Sequence, residues 1–579
     1  MRSLNQCLLD TNLVRLRTIA RFWGVELTAN RQRDIATQLA EAMATPEAVA
    51  GAWDTLPDDQ RQALESLLAA GDRMVLRVFT RQWGEIRTMG PGRMERERPW
   101  QEPISSAEGL WYKGFIFRAF DQGVDEAYEV VFVPPELTTH LPAPPPSPPT
   151  ITIKPASRPI TVRSTGVALL DDACTLLAYL QNEQLRPSPN GDWPARHEAR
   201  LARQMHDPTP TRLSLLRHLA QHLGWLRVTD SLLLRPDPGP VTAWLQAPTN
   251  QQRAALAEFW RDDPAWNDLF HIPTLHPENT GAWRNDPLLA RQATLHHLKT
   301  CVPNTWYTLN DFVTAIKQAD PDFQRPSGDY TTWYIRDAAT GAYLSGFESW
   351  DRVEGALIHY LITKPLAWLG LTDVGTDALD DPPTAFRLTP AGAALLGLAE
   401  PPPEPEPAPL ALRPDFTVLV PPAQRYERFQ LARVADWVHT PTLRSPTPTL
   451  FIYQLTPASL ERARRQGIPV ARVLEFLGQV TGAGTPVPRF VEAALTRWEA
   501  RGTEARLERV LLLRLSNEEM MAQITSSPHI RRLIHERIGP KAALVRERDW
   551  PRLVVALGEM GLLADVVALE KKDTELTQR

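Results

Sequence analysis

Apolar side chains recur at intervals of three and four residues along most of the chain, a spacing that places them on one face of an α-helix. Short apolar runs flanked by turn residues predict β-hairpins between some of these helices. The recurring order is several helices followed by one hairpin. The pattern therefore predicts a mainly α protein with small β elements, built from tandem helical domains and a C-terminal module that mixes helices and strands (α/β or α+β).

Residues 51–140 give the clearest case of this order. A helix is predicted from Pro57 to Gly71, since proline and acidic residues suit a first turn and glycine ends helices. Two further helices, "RVFTRQWG" and "SSAEGLWYKG", precede a hairpin formed by "FIFRAF" and "YEVVFVP" around "DQGVDEA". Helix, helix, helix, hairpin is the order of a winged helix, so we predict a winged-helix-like domain over 51–140.

The same order recurs twice more. Residues 160–285 are predicted to form a winged-helix-like domain with a helical extension, whose wing is "WLRVT" and "LLLRP" on either side of Asp230-Ser231. Residues 286–399 are predicted to form a third such domain. Two proline-rich runs, at 141–159 and 400–410, are typical of extended spacers and are predicted to be linkers. Recognition of these runs by SH3 or WW domains is the alternative.

The first 50 residues predict two helices joined at Gly24. This helix–glycine–helix unit resembles the SAP-type DNA-binding motif, which implies a small nucleic-acid contact at residues 1–50. Six tryptophans between residues 260 and 350 allow two interpretations. They either fill seams between domains or form stacking platforms for bases, and the first interpretation is favoured. The six are Trp260, Trp266, Trp283, Trp306, Trp333 and Trp350.

Residues 411–579 follow another plan, in which strands alternate with helices. "RPDFTVLVPP" is a buried-type strand, "YERFQLARVADWV" a helix, and "LFIYQL" a strand before a helix that Thr456 caps. "ARLERVLLLRLS" and "KAALVRE" are further strands, and "HIRRLIHERIG" between them is predicted to be a helix.

This segment resembles the helicase-associated domain of XPB-type DNA helicases, the domain N-terminal to their motor. The resemblance implies contact with DNA or with partner subunits. It rests on motifs that occur in the same order over residues 413–563. Its residues are Pro414, Asp415, Phe416, Leu455, Thr456, Ser459, Leu460, Gly467, Leu474, Leu477, Pro488 and Trp498.

The chain departs from helicases in one decisive respect. A P-loop needs the pattern G-x-x-x-x-G-K-[ST] to hold the phosphates of ATP, and no Gly-Lys pair occurs anywhere in the sequence. We therefore expect no motor, no catalytic residue and no cofactor. A helicase or nuclease with which this protein acts would be a separate subunit.

Charge is distributed unevenly along the chain. The net charge is −5, yet residues 413–579 hold 25 Lys and Arg against 19 Asp and Glu, a net of +6 that leaves −11 for the remainder. Arginine accounts for 55 of the 63 cationic residues. Arginine suits bidentate contacts with phosphates and bases, although biased codon usage would give the same excess.

Arginine clusters are the candidate nucleic-acid contacts. They lie in the second helix of the SAP-like unit, in a predicted exposed loop at 87–98, and in two helices of the C-terminal module. A solvated surface is the alternative for each cluster. The candidates are Arg31, Arg33, Arg87, Arg93, Arg464, Arg465, Arg531 and Arg532.

No other chemistry is indicated. Three cysteines far apart exclude a disulfide framework and a cysteine zinc site, and predict a reducing cytoplasm. No apolar stretch reaches 18 residues, so no membrane helix is predicted. Four adjacent carboxylate pairs, at 58–59, 171–172, 262–263 and 380–381, are interpreted as helix starts and solvated turns, because neighbours on a helix do not face one another. No metal site is expected.

These features lead to one hypothesis and two alternatives. The leading hypothesis is a non-catalytic, cytoplasmic protein that binds DNA or assists a helicase in repair or transcription. The first alternative is a protein-interaction scaffold whose winged helices dock proteins and not DNA. The second is an unrecognised enzyme such as a nuclease, which metal-dependent cleavage of DNA would reveal.

Overall fold

The structure is a computed structural model of the 579-residue chain. It describes residues 2–122, 127–142, 151–278, 280–281, 283–377, 382–404, 406–439, 450–481, 487–505 and 510–566. The chain divides into two compact units, residues 1–487 and 488–579. Within the described ranges, helices predominate and the strands form six small antiparallel sheets. The mainly α architecture with small β elements is therefore confirmed.

Four helices open the first unit. Ser3, Asn12 and Thr45 cap three of them through side-chain oxygens that accept backbone N–H bonds. Gly24 ends the second helix in a left-handed conformation, as its position predicts. The helices are α1 (Leu4–Leu9), α2 (Leu13–Phe22), α3 (Gln32–Met43) and α4 (Pro46–Asp54).

The next segment has the order helix, strand, helix, helix, hairpin, with two added short helices. Its sheet has the strand order β1-β3-β2, and the hairpin turn at 123–126 lies outside the described residues. One apolar core runs from Leu4 to Leu141 through this segment and the first four helices. The elements are α5 (Asp58–Ala69), β1 (Arg73–Val75), α6 (Leu76–Trp83), α7 (Pro91–Glu97), α8 (Ser106–Lys113), β2 (Phe117–Gln122), β3 (Ala127–Phe132) and α9 (Pro135–Thr138).

Three helices and a hairpin follow the first proline-rich run, of which residues 143–150 lie outside the described residues. The hairpin β5–β6 is antiparallel, and the backbone N–H of Leu234 donates to the Leu185 carbonyl at 2.9 Å. The elements are β4 (Thr161–Arg163), α10 (Ala168–Asn182), α11 (Ala195–Ala202), α12 (Pro210–His222), β5 (Leu226–Val228), β6 (Leu234–Pro236), α13 (Pro238–Gln246), α14 (Thr249–Asp262) and β7 (Leu275–Pro277).

The third segment repeats the topology of the first. β8 pairs with β11, which pairs with β10, and β4 adds a fourth strand beside β10. A helical stretch from Asp351 to Leu366 includes two π-helical turns and contains Pro365. The elements are α15 (Pro287–Leu298), β8 (Trp306–Thr308), α16 (Leu309–Ala319), β9 (Ile335–Asp337), α17 (Ala356–Leu361), β10 (Thr372–Thr376), β11 (Ala385–Leu388) and α18 (Pro390–Leu395).

The first unit ends with a four-stranded antiparallel sheet of order β12-β13-β15-β14, accompanied by three helices. Thr456 caps α20 and forms a capping box with Ser459, as the sequence predicts for the cap. The helix α19 packs against α10 of the second segment. The elements are β12 (Ala411–Leu412), β13 (Thr417–Val420), α19 (Arg425–Leu431), β14 (Asp436–His439), β15 (Phe451–Gln454), α20 (Pro457–Arg465) and α21 (Val470–Val480).

The second unit contains a three-stranded antiparallel sheet, of order β16-β18-β17, and four helices within its described residues. A small apolar core joins the sheet to the helices through Ile524, Val545 and Leu557. The elements are α22 (Arg489–Arg501), β16 (Val510–Arg514), α23 (Glu518–Ser526), α24 (Pro528–Arg531), β17 (Ile534–Gly539), β18 (Ala542–Arg546) and α25 (Trp550–Glu559).

Three element predictions are wrong. The helix predicted over 529–539 is one helical turn followed by β17, which pairs with β18. The helix predicted over 426–438 ends at Leu431, and Val438 lies in β14, where it is 62% exposed. The loop predicted at 87–98 contains α7, because Pro91 begins a helix readily and Met94 is buried. In the first two cases the residues form strands because they pair with another strand. Local apolar spacing carries no information about such pairing.

Candidate nucleic-acid interface

A groove of about 1040 Å³ opens in the first unit where α10, the β5–β6 hairpin, α19 and α20 meet. Its walls come from parts of the sequence that are more than 150 residues apart. Polar and cationic side chains dominate the lining. The lining residues are Gln181, Asn182, Gln184, Arg227, Thr229, Arg235, Pro236, Pro238, Thr242, Phe429, Gln430, Arg433, Ala458, Glu461, Arg462, Arg465 and Gln466.

The contact between α10 and α19 brings these walls together, and two buried arginines hold it. The guanidinium of Arg425 donates from Nε to Asp171 Oδ1 at 2.8 Å and from a terminal nitrogen to Gln252 at 3.1 Å. Arg428 donates to the Asp171 carbonyl and, at 3.2 Å, to Thr175. Its guanidinium also lies 3.8 Å from the centre of the Phe451 ring. Such buried pairs fix the relative position of the two helices, because separating a pair leaves an uncompensated charge in the protein interior.

Polar bonds continue the contact up to the floor of the groove. Gln181 donates to the Phe429 carbonyl at 3.2 Å, and Asn182 donates to the Ala432 carbonyl at 2.8 Å. Arg235 donates to the Leu180 carbonyl at 2.6 Å and to the Glu183 carbonyl. The bonds from Arg235 satisfy carbonyls at the C-terminal end of α10, where a cation is electrostatically favoured.

The groove is strongly cationic. Five arginines line it, whereas Glu461 is the acidic residue among the described lining residues. This positive site sits in a chain whose net charge is −5. A local concentration of arginine in a concave site attracts anions even when the whole protein is acidic.

Arg227 and Arg235 are direct cross-strand partners in the β5–β6 hairpin, and both line the groove. Like charges placed directly opposite each other destabilise a hairpin. The bonds to the end of α10 account for Arg235, but they do not account for the like charge of Arg227 opposite it. An anion bound between the two guanidinium groups would remove the repulsion.

The groove arginines differ in how their charge is balanced. No described carboxylate forms an ion pair with Arg227, Arg235 or Arg433. Burial lowers the pKa of Arg235 and of Arg433, because a desolvated guanidinium without a carboxylate is held less firmly as a cation. An incoming phosphate would supply the missing counter-charge.

The other two arginines already have acidic partners. Arg462 binds Asp436 at 2.7 Å and the Ala435 carbonyl at 3.0 Å. Arg465 lies 3.3 Å from Glu461, and its side chain is 78% exposed. An exposed ion pair of this kind is weak, so Arg465 is free to turn towards a ligand.

A smaller groove of about 560 Å³ continues the cationic surface along α11. It shares Asn182 and Gln184 with the first groove and adds Arg196 and Arg200. Arg196 is exposed, and Arg200 binds Glu183 at 2.9 Å. The polar surface thus extends beyond the five arginines.

The structure places the predicted arginines in different settings. Arg31 and Arg33 are exposed at the start of α3. Arg87 binds the fully buried carboxylate of Glu108, with N–O distances of 2.7 and 2.6 Å, so it holds α8 to the segment before it. Arg93 forms an exposed i,i+4 pair with Glu97 at 2.7 Å.

The predicted arginines of the C-terminal segment also separate. Arg464 and Arg465 follow one another on α20, but only Arg465 of the two lines the groove. Arg531 ends α24 and Arg532 caps it, both exposed in the second unit. The groove therefore contains one of the eight predicted contacts.

Sequence reasoning missed four of the five groove arginines. The hairpin was predicted, but its predicted two-residue turn at Asp230-Ser231 pairs Arg227 with Leu234, one residue away from the partner Arg235 that it has in the structure. Arg433 and Arg462 had no local signal, because their position depends on α19 packing against α10, which lies about 250 residues earlier.

The helix before each hairpin is committed to packing. In α8, Ala107, Leu110 and Tyr112 are buried, and Lys113 donates to Gln60 at 2.7 Å. In α12, the fully buried Arg212 is paired with Asp172, and Arg217 binds Glu198. The helix Asp351–Leu366 is largely buried as well. These helices do not present a row of free cations.

The expectations for the carboxylate pair at 171–172 and for the six tryptophans both concern residues that are mostly buried in the structure. Asp171 lies in the first turn of α10, as a helix start predicts. Asp171 and Asp172 are nevertheless buried and pair with Arg425 and Arg212, so the interpretation of this pair as solvated is wrong. Asp380-Asp381 lies outside the described residues. Of the six tryptophans, all but Trp333 are buried, which favours the seam interpretation over a stacking platform.

Residues 410–539 match the protein family described as helicase conserved C-terminal domain. This segment is a helicase C-terminal-type domain. It contributes α19 and α20 to the groove, while α10 and the β5–β6 hairpin lie upstream of it. The match connects the chain with helicase-related nucleic-acid function. A comparison with curated proteins finds no match.

None of the helices in the described ranges is both long and apolar enough to cross a bilayer. No group of three or more His, Cys, Asp or Glu side chains in those ranges is arranged to hold a metal ion.

Proposed function

We propose that this protein is a non-catalytic DNA-binding protein that assists a helicase. The observation that carries the proposal is the groove of five arginines at the junction of the helicase C-terminal-type domain and the β5–β6 hairpin. Three of those arginines have no described carboxylate partner, which is the state expected of phosphate ligands before the phosphate arrives.

Binding would work through the backbone of the nucleic acid. Guanidinium groups bind phosphate oxygens in bidentate fashion, and the released counterions make affinity fall steeply with salt. The amide side chains of Gln181, Gln184 and Gln430 add hydrogen-bonding groups beside the arginines. Backbone contacts fix position and orientation and do not by themselves read sequence.

The finer assignment is to the helicase-associated domain of XPB-type helicases. Its support is the ordered set of motifs that begins with Pro414, Asp415 and Phe416. Since the sequence has no Gly-Lys pair for a P-loop, a motor would be supplied by another chain. The role in repair or transcription follows from that resemblance.

The three upstream segments are proposed to be winged-helix domains. The strand orders β1-β3-β2 and β8-β11-β10, each built around three helices, support this. Because the helix before each hairpin is buried, the wing and not the recognition helix would meet DNA. In the second segment that wing is β5–β6, which carries Arg227 and Arg235 into the groove.

The second candidate function is a protein-interaction scaffold. The observation that favours it is the same burial of the helices that winged-helix proteins normally place in a major groove. The acidic balance of the first 412 residues also disfavours broad DNA binding.

Fluorescence anisotropy of the full chain on labelled duplex, single-stranded and forked DNA tests the proposal. We compare about 50 and 200 mM salt, where 6–10 phosphate contacts predict a loss of roughly 10³–10⁵ in affinity. Arg465→Ala and Arg227→Ala should weaken binding and lower the salt slope by about one unit each. Arg464→Ala is the matched control, since it lies outside the groove on the same helix and shares Glu461.

Two outcomes would contradict the proposal. If the full chain binds none of these DNAs at about 50 mM salt, DNA binding fails and the scaffold function takes its place. If Arg464→Ala weakens binding as much as Arg465→Ala, the chain binds DNA but the groove is not the site.

A further inference from the structure

The tip of the β5–β6 hairpin exposes apolar side chains. Leu232 is 66% exposed and Val228 is 56% exposed. Leu232 also has a φ of +60°, a conformation that branched and bulky residues rarely adopt. Strained backbone of this kind persists where the surrounding structure enforces it, and it concentrates at functional positions.

Hydrogen bonds make the tip rigid. The Leu232 N–H donates to the Thr229 carbonyl at 2.8 Å, and the Thr229 N–H donates to the Leu233 carbonyl at 2.9 Å. The hydroxyl of Thr229 accepts from the Leu233 N–H at 3.2 Å and lies 3.0 Å from the hydroxyl of Ser231. The turn therefore holds Leu232 outward in one conformation.

The tip belongs to the element that supplies the groove with arginine. Arg227, Thr229 and Arg235 of this hairpin all line the groove, and Leu232 follows three residues after Thr229. Two apolar side chains are far too few for a protein interface, which buries about 800 Å² on each partner. Their neighbourhood instead points to a ligand that combines phosphates with an apolar face.

We propose that this tip is an apolar wedge that packs on the open face of a base pair where duplex DNA meets single strands. The proposal rests on the DNA-binding function proposed above, because the groove would hold the phosphates while the tip reaches the bases. Base faces are covered inside a continuous duplex and are accessible at a fork. Leucine and other apolar side chains act in this way when they enter base steps.

The charge of the tip agrees with this placement. Asp230 is exposed at the turn, so a position directly over backbone phosphates is repulsive, whereas a position over the faces of bases is not. The arginines that attract the backbone lie further down the hairpin. The hairpin thus separates a cationic base from an apolar end.

Leu232→Gly is the discriminating variant. Glycine adopts positive φ without strain, so this change removes the side chain and leaves the turn intact. We expect a higher melting temperature together with a loss of fork preference. The matched control is Leu398→Ser, which changes a leucine that is 40% exposed outside the hairpin.

The affinities for forked and for blunt duplex DNA are measured at one salt concentration, with 2-aminopurine at the junction to report unstacking. The unaltered chain should prefer the fork about tenfold, because a base face is open to the wedge at the fork and covered in the blunt duplex. In Leu232→Gly the ratio should approach one and the 2-aminopurine signal should fall. Arg227→Ala should weaken both complexes equally and keep the ratio.

Each remaining outcome decides the question. If Leu232→Gly retains the fork preference and the 2-aminopurine signal, the wedge is overturned while DNA binding by the groove stands. If the unaltered chain binds forks and blunt duplexes equally well, the wedge is also overturned. If no DNA binds at all, the proposed function fails first and the wedge fails with it.

Discussion

At the scale of single residues, Asp171 shows how the groove depends on buried charge. Its carboxylate is 4% exposed and faces Arg425, with His206 3.6 Å away. Burial, the largest single effect, would raise the pKa of Asp171, but Arg425, His206 and Arg428 together outweigh it and hold the pKa below its usual range. The carboxylate is therefore charged at neutral pH and stabilises the contact between α10 and α19.

We expect Asp171→Asn to lower the free energy of unfolding by about 3–5 kcal/mol, because it leaves Arg425 buried without its partner. Urea unfolding followed by tryptophan fluorescence measures the change. Asp58→Asn is the control, since Asp58 pairs with Arg61 on the surface with a 90% exposed side chain. Such a pair contributes at most about 1 kcal/mol. Equal effects of the two substitutions would contradict the structural role given to Asp171.

The same residue predicts a direction with pH. Because the folded pKa of Asp171 is depressed, its stabilisation is fully present above the unfolded value of about 3.9 and is lost as pH falls through the folded pKa. The Asp171→Asn variant should lack this part of the acid destabilisation.

At the scale of elements, repulsion between Arg227 and Arg235 destabilises the β5–β6 hairpin, while the same two residues line the groove. We expect Arg227→Glu to stabilise the hairpin by up to about 1 kcal/mol, because an opposite-charge pair replaces Arg227 facing Arg235. The same change should weaken DNA binding by more than Arg227→Ala does. Thermal unfolding and anisotropy on one protein preparation measure the two effects. A variant that gains stability and keeps full DNA affinity would show that the arginine pair is not a binding feature.

Elements were predicted well where the signal was local. The cap of α20, the hairpins β2–β3 and β5–β6, and the glycine that ends α2 all follow from nearby residues. The failures share another cause. Residues 534–539 have apolar residues at the spacing of a helix, yet they pair with β18. The spacing of apolar residues in one segment does not show which strand that segment pairs with. The groove was missed for the same reason, because Arg433 and Arg462 reach it through a helix contact between distant segments.

At the scale of the whole molecule, the proline-rich run at 400–410 lies against the rest of the first unit where it is described. Glu404 accepts from the backbone N–H groups of Thr249, at 2.8 Å, and Asn250 at the start of α14. Asn250 in turn donates to the Pro402 carbonyl at 2.7 Å. Leu410 donates to the Val480 carbonyl at 3.0 Å. The segment before the helicase C-terminal-type domain is thus fixed at both ends.

We expect the two sides of this run to stay together after the chain is cut. A specific protease site placed between residues 404 and 408 allows the test. The fragments should elute as one species in gel filtration, since the α10–α19 contact contains the buried pairs of Arg425 and Arg428. The same cut in Asp171→Asn should release the fragments more readily. Separate elution from the otherwise unaltered chain would mean that the covalent link, and not the contact, holds them.

The groove has two walls that are joined by a contact and not by a short stretch of chain. Binding of a ligand that touches both walls is thermodynamically linked to that contact. The ligand stabilises the contact by RT ln(1 + [L]/Kd). By reciprocity, a change that weakens the contact between α19 and α10 lowers the affinity for the ligand by the same factor. Ligand binding in the groove and packing of α19 against α10 would therefore be coupled, so that a change in one equilibrium shifts the other.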